Sequence, residues 1–224
     1  MTTSQNTTFL PAGATAFFRR RLIELCGLAL FMGAGLYAAA LVTFAADDPS
    51  FNNVSTAATT NILGPVGAHL ADLSLQFIGA ASALVVLTLA AWAWRLTSHR
   101  GLPFGWIHIA LLPFAAVLAA GALSGLTPIV QWGVAAGVGG VAGLLTQHGL
   151  TQAGVLIGLG ANGWLAPLIL GLLALPIALF ALGLSPREWR SIFARLRWMG
   201  VFAARSGLWA IARVRGVLSV RPFR

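Results

Sequence analysis

The chain has 224 residues, of which 58% are hydrophobic and only 8% are charged, and its formal net charge is +9. A soluble domain carries roughly 25% charged residues, so this composition excludes an ordinary water-soluble fold, whereas lipid tolerates an apolar protein surface. All 14 basic residues are arginine, and the absence of lysine excludes a P-loop and Schiff-base catalysis.

The N-terminal part of the chain predicts a short tail and a first transmembrane helix. Residues 1–18 are mostly polar at their start, and we expect them to form a disordered, cytoplasmic tail. Three arginines then precede the apolar run Leu22–Ala46, which is longer than the apolar core of a signal peptide, about 7–15 residues. The run therefore predicts a retained first span, at the start of a four-helix transmembrane domain over residues 19–185.

The middle of the chain predicts two further spans. Residues 47–72 contain three aspartates and no arginine, which is typical of a loop outside the cytoplasm. The second span is expected at Leu73–Trp94 and the third at Ile107–Ser124. Between them lies a short loop that carries Arg95 and Arg100.

A glycine-rich segment precedes the last span. Within residues 125–163, the piece Gly133–Leu145 has small residues at the spacing that lets backbones approach closely. It is too short to span a bilayer, so we expect a short interfacial or re-entrant helix packed against protein. The last span is expected at Trp164–Leu184, with a kink at Pro176.

The C-terminal residues 186–224 hold nine of the 14 arginines and predict a cytoplasmic, juxtamembrane helix followed by the start of a linker. From Arg187 to Met199 the arginines face away from the large apolar side chains, which is the pattern of a helix that lies among lipid headgroups. The candidate headgroup-binding residues are Arg187, Arg190, Arg195 and Arg197. Contact with DNA phosphates is the alternative interpretation of this basic tail.

The arginines alternate with arginine-free connections along the chain. Positive-inside bias therefore predicts that both termini lie in the cytoplasm and that residues 47–72 form an external loop. Asp47, Asp48 and Asp72 are the candidates for a partner-facing surface on this loop. The first two could pair as acid and base, but their position before Pro49 favours a turn. Asp72 is expected to cap the second span.

Several motifs make the chain similar to one family. They are Arg19–Glu24 (RRRLIE) before the first span, Asp47–Phe51 (DDPSF) after it, Asn61–Asp72 (NILGPVGAHLAD), and Gly139–Gly143 (GGVAG) before the last span. In their order and spacing they resemble the N-terminal four-helix membrane domain of the FtsK/SpoIIIE family of bacterial DNA translocases.

The resemblance implies a role at the division septum of the bacterial inner membrane, in contact with cell-division membrane proteins. It also implies a homo-oligomer, as a hexamer, whose RecA-type motor uses ATP and magnesium and alone touches DNA. The Walker motifs of that motor do not occur in this chain, and we expect a fragment that ends before the motor. These residues themselves are expected to hold no cofactor, metal or catalytic group.

Two functions are compatible with four apolar helices. The first is a membrane anchor and assembly platform for the division machinery. The second is a subunit of a small transporter or channel, with the glycine-rich segment as a pore element. Ion and proton pathways usually need ionisable side chains at depth in the membrane, and the predicted spans lack them, which favours the first function.

Overall fold

The computed structural model describes residues 12–127, 133–159 and 163–218. Within these ranges all regular secondary structure is helical, and the chain divides into two compact units, residues 1–183 and 184–224. The first unit contains α1 (Ala12–Val42), α2 (Gly64–Ile78), a 3-10 turn (Gly79–Ala81), α3 (Ser82–Thr97), α4 (Gly105–Leu123), α5 (Gly140–Leu156) and α6 (Leu165–Ala181). The second unit contains α7 (Pro186–Leu218).

The apolar helices have the length that a bilayer requires. Three stretches, Gly13–Val42, Gly64–Thr97 and Gly105–Leu123, are long and apolar enough to cross a membrane, and the number rises to four if α6 is counted with the helix after it. With 17 residues, α6 itself lies at the lower end of the range for a transmembrane helix, about 17–25 residues. The predicted class, an all-α membrane protein, is confirmed.

The long helices pack in two close pairs, α1 with α3 and α4 with α6. A Cβ atom at Gly27 of α1 would lie 2.7 Å from Cγ2 of Thr97 in α3, so only glycine allows this approach. At Gly121 of α4, a Cβ atom would lie 2.7 Å from Cδ1 of Leu170 in α6. Small residues at such crossings let dispersion contacts hold helices together in lipid.

The first unit has two chemically different ends. One end carries the start of the apolar part of α1 and the end of α3, and we call it the arginine end after Arg20, Arg21, Arg95 and Arg100. Opposite to it is the far end, where α1 terminates and α2 begins. The apolar helices α1, α3, α4 and α6 run between the two ends.

Two predictions for the first half of the chain are wrong. Helix α1 begins at Ala12, so residues 12–18, expected to be disordered, continue the helix of the first span; residues 1–11 lie outside the described residues. The single predicted span Leu73–Trp94 is two helices, α2 and α3, because the backbone breaks at Gly79. Gly79 has φ 58° and ψ −141°, a conformation that is essentially restricted to glycine.

The glycine-rich segment also differs from its prediction. The short helix lies over Gly140–Leu156 and not over Gly133–Leu145, because residues 133–139 form turns before it. Residues 128–132 and 160–162 of the segment lie outside the described residues. The next helix, α6, continues through Pro176. It lies within the last span that was predicted, Trp164–Leu184.

The second unit is a helix of 33 residues, much longer than the predicted Arg187–Met199. Its start is fixed by a reciprocal pair of hydrogen bonds. The backbone N–H of Ser185 donates to Glu188 Oε2 (2.7 Å), and the N–H of Glu188 donates to Ser185 Oγ (3.3 Å). This is a capping box, which satisfies two of the N–H groups left free at a helix start.

Candidate functional site

The α1–α2 loop, residues 43–63, is folded around the carboxylate of Asp48. The N–H and the hydroxyl of Thr60 donate to Asp48 Oδ1 (2.7 and 2.8 Å), and the N–H of Asn61 donates to Oδ2 (2.9 Å). The Thr60 N–H, more than any other group, holds the pKa of Asp48 below its ordinary value, and burial opposes it. The ionised carboxylate therefore closes the loop.

Asn61 joins this loop to the end of α1. Its Nδ2 donates to the carbonyl oxygens of Ala40 (2.9 Å) and Thr43 (3.2 Å). The last four carbonyls of a helix have no partner within it, so Asn61 acts as a C-terminal cap supplied from a distant part of the sequence. Its Oδ1 accepts the N–H of Leu63 (3.1 Å), immediately before α2.

Asp72 is a structural residue of α2 and not the helix cap that the sequence predicted. It lies in the middle of α2, is 3% exposed, and its Oδ2 accepts the side-chain Nδ2 of Asn52 (2.8 Å). His69, three residues earlier on the same helix, contacts other groups. Its Nδ1 lies 2.7 Å from the carbonyl oxygen of Pro65, and its ring packs edge-to-face on Phe51.

The partner-facing surface predicted for the loop is therefore divided between inner and outer residues. Asp48 and Asp72 are buried and shape the loop from inside, because their carboxylates are occupied by loop donors. Asp47 is exposed, and the apolar side chains of Phe51 and Val54 are exposed beside it in the sequence. A partner of this loop would contact these outer residues.

Glycines let three segments meet at the far end, an arrangement we call the glycine node. Gly140, at the start of α5, has φ 66°, and a Cβ atom there would lie 2.7 Å from the backbone of both Gly79 and Phe77. A Cβ atom at Gly143 would lie 2.4 Å from the carbonyl oxygen of Ala120 in α4. The sequence correctly predicted close backbone approach in the Gly139–Gly143 cluster, but not its partners.

At the arginine end, Glu24 of α1 connects to the α3–α4 loop. It forms an i,i+3 ion pair with Arg21, and its Oε1 lies 2.7 Å from Nε2 of His99. His99 is held in a left-handed conformation, φ 53°. The residue comes 75 positions later than Glu24, so no local pattern in the sequence indicated this contact.

Two side chains occupy the last carbonyls of α6 at the same end. Nδ1 of His108 lies 2.9 Å from the carbonyl oxygen of Phe180, and the indole N–H of Trp92 donates to that of Ala181 (2.9 Å). Both side chains are buried. His108 therefore joins α4 to α6, and no local pattern in the sequence indicated that Trp92 would be a helix cap.

The candidate headgroup residues of α7 are all exposed within their own unit, namely Arg187, Arg190, Arg195 and Arg197. Large apolar side chains of the same helix are exposed as well, including Phe193 (61%) and Leu196 (56%). The helix therefore presents both kinds of surface that an interfacial helix needs. Across the described ranges, no cluster of three or more His, Cys, Asp or Glu side chains has the arrangement of a metal site.

Comparison with known proteins places these features in a family. Residues 19–197 match the family described as the 4TM region of DNA translocase FtsK/SpoIIIE. A DNA translocase FtsK of Bradyrhizobium diazoefficiens is 33% identical over 80% of this chain and 22% of its own length. One from Mesorhizobium japonicum is 35% identical over 76% of this chain and 19% of its own. One from Azospirillum brasilense is 30% identical over 95% of this chain and 34% of its own length.

The chain thus spans between about a fifth and a third of the length of these curated relatives. The match falls on their membrane region, and the ATPase motor is not part of these 224 residues. No solved structure matches the chain.

Proposed function

Because this chain belongs to the family of the 4TM region of DNA translocase FtsK/SpoIIIE, we propose that it anchors a DNA translocase in the bacterial inner membrane at the division septum. There it assembles with membrane proteins of the division machinery and with further copies of itself, as a hexamer. It couples chromosome segregation to cell division, while ATP, magnesium and DNA are bound by the motor region. By positive-inside bias, the arginine end and both termini face the cytoplasm.

The folded α1–α2 loop is the observation that carries this proposal. A platform for partner proteins needs an exposed surface whose shape is fixed before binding, because ordering a mobile segment costs affinity. Asp48 and Asn61 fix the loop from inside through buried hydrogen bonds. Asp47, Phe51 and Val54 then offer exposed charged and apolar groups to a partner.

The positions of the acidic residues support an anchor more than a transporter. They are found at the arginine end, at the far end and in the second unit: Glu24, Asp47, Asp48, Asp72 and Glu188. An ion or proton pathway needs such groups at depth between the ends. The apolar middle of the bundle has none, which is the composition expected of a membrane anchor.

The proposal predicts that the chain concentrates at the septum when it is expressed with a fluorescent protein at its N-terminus in dividing bacteria. Val54→Asp places a carboxylate on a fully exposed side chain of the loop. This variant should remain in the membrane but lose septal enrichment, because it changes the proposed partner surface.

His148→Asp is the matched control, since His148 is exposed on α5, outside the loop. It should keep the septal enrichment of the unchanged chain. A uniform membrane distribution of the unchanged chain would contradict the septal role, and equal loss in both variants would contradict the role of the loop.

For the second unit we propose that the arginines of α7 bind anionic lipid headgroups. Each arginine near an anionic surface contributes about 1 kcal/mol. Arg190→Glu combined with Arg195→Glu should therefore release α7 from anionic membranes while the spans still insert. A fluorophore on Val201→Cys, in a Cys26→Ser background, reports this release as a red shift of its emission in reconstituted anionic vesicles.

Neutral vesicles provide the control for this experiment. In them the double variant and its parent should give the same emission, because no headgroup charge attracts the arginines. If the emission is also the same in anionic vesicles, Arg190 and Arg195 do not hold the helix to lipid.

A further inference from the structure

The beginning of α2 lies at a defined height above the arginines. From Arg21 to Ala40 of α1 there are 19 residues, which rise about 28 Å at ~1.5 Å per residue. The hydrocarbon core of a bilayer is about 30 Å thick. Because Asn61 binds the Ala40 carbonyl oxygen at 2.9 Å, Gly64 and the start of α2 lie at the far boundary of this core.

The other end of α2 lies at the same height. Helix α3 packs along α1 and ends with Thr97 against Gly27. Its 16 residues rise about 24 Å, which brings Ser82 level with the end of α1. A 3-10 turn of three residues joins Ser82 to α2, so both ends of α2 lie at the far boundary.

This geometry fixes the direction of α2. The helix has 15 residues and is about 22 Å long. If it continued the axis of α3, Gly64 would lie about 22 Å beyond the bundle, and Asn61 could not reach Ala40. The break at Gly79 therefore turns α2 into the plane of the membrane.

The two faces of α2 differ sharply in their surroundings. The inner face is buried and consists of small residues with Asp72 and one leucine, namely Gly67, Ala68, Ala71, Asp72 and Leu75. The outer face is a stripe of large apolar side chains at helical spacing, each between 41% and 77% exposed: Val66, Leu70, Leu73 and Phe77. Such a continuous apolar surface marks a site of contact with a membrane or a protein.

We propose that this α2 stripe is embedded in the acyl-chain boundary of the lipid leaflet at the far end. The height of α2 coincides with that boundary, and a helix lying in the interface buries one apolar face there. The stripe contains no Trp, Tyr or Arg, the residues that usually anchor a protein partner. α2 thus lies in the plane of the membrane and fixes the depth of the bundle in the bilayer.

Spin labels on the full chain test this proposal in reconstituted vesicles without any partner protein. In a Cys26→Ser background, single cysteines replace Val66, Leu73 or Phe77 of the stripe. Val54, fully exposed in the α1–α2 loop, is the matched control position. Collision rates with oxygen, which partitions into lipid, and with a water-soluble nickel chelate are measured at each label.

We expect the ratio of oxygen to nickel collisions to be several-fold higher at the three stripe positions than at position 54. A ratio at the stripe equal to that at position 54 would show that the stripe faces water and overturn the proposal. Exclusion of both reagents from the stripe would show that a second copy of the chain covers it, which also overturns the proposal. These outcomes are independent of septal localisation, so the proposed function is tested separately.

Discussion

Replacing Gly143 by alanine should destabilise the first unit by about 1–3 kcal/mol, the usual cost of adding volume to a filled interior. The new Cβ atom would lie 2.4 Å from the carbonyl oxygen of Ala120 and 2.4 Å from Ser124 Oγ. The Ala120 oxygen belongs to the backbone of α4 and cannot rotate away, so α5 must move off α4. Thermal unfolding in detergent micelles, followed by circular dichroism, measures the loss.

Gly149→Ala is the matched control, because it is the same change in the same helix. A Cβ atom at Gly149 would meet nothing within 4 Å. Alanine is favoured over glycine inside a helix by about 0.5–1 kcal/mol, so this variant should be at least as stable as the parent. Equal unfolding temperatures for the two variants would contradict the close contact at the glycine node.

Asn61→Ala should be the most damaging change in the α1–α2 loop. It removes the donor from the carbonyls of Ala40 and Thr43 and the acceptor from the N–H of Leu63. A buried polar group that loses its partner costs about 1–3 kcal/mol. We expect both lower thermal stability and faster proteolysis of the loop, measured by limited digestion in micelles.

The same substitution at Asn53 serves as its control. Asn53 also donates to two carbonyl oxygens, of Ala46 (3.0 Å) and Asp48 (3.3 Å), but the first of these bonds is exposed. Water replaces an exposed partner at little cost, so Asn53→Ala should change stability much less. If Asn53→Ala and Asn61→Ala are equally mild, Asn61 does not cap α1.

Hydropathy predicted the spans because lipid requires long apolar runs, and those runs are visible in one sequence. The third span was expected at Ile107–Ser124 and the helix lies at Gly105–Leu123. The start of α7 can also be inferred from the sequence, since Ser185 and Glu188 have the spacing of a capping box. In these cases the determinants are local, and neighbouring residues along the chain contain the whole signal.

The break at Gly79 and the cap at Asn61 could not be predicted in this way. A glycine inside an apolar run does not reveal its backbone angles, because glycine also occurs in straight transmembrane helices. The partner of Asn61 lies 21 residues away in the sequence, and a polar residue outside the spans has many candidate partners. Asp72 was predicted to be a helix cap because the second span was expected to begin at Leu73. The helix that contains Asp72 begins eight residues earlier, at Gly64.

The cap on α1 has a consequence for the order in which the chain matures. During synthesis at about 5–20 residues per second, Asn61 is made about 1–4 s after Ala40. In that interval the carbonyl of Ala40 lacks the donor that Asn61 later supplies, and an unsatisfied backbone group in hydrocarbon costs several kcal/mol. The last turn of the first helix is therefore completed only when the loop folds back onto it. Changes in the loop should thus act first on membrane insertion of α1, before any partner is encountered.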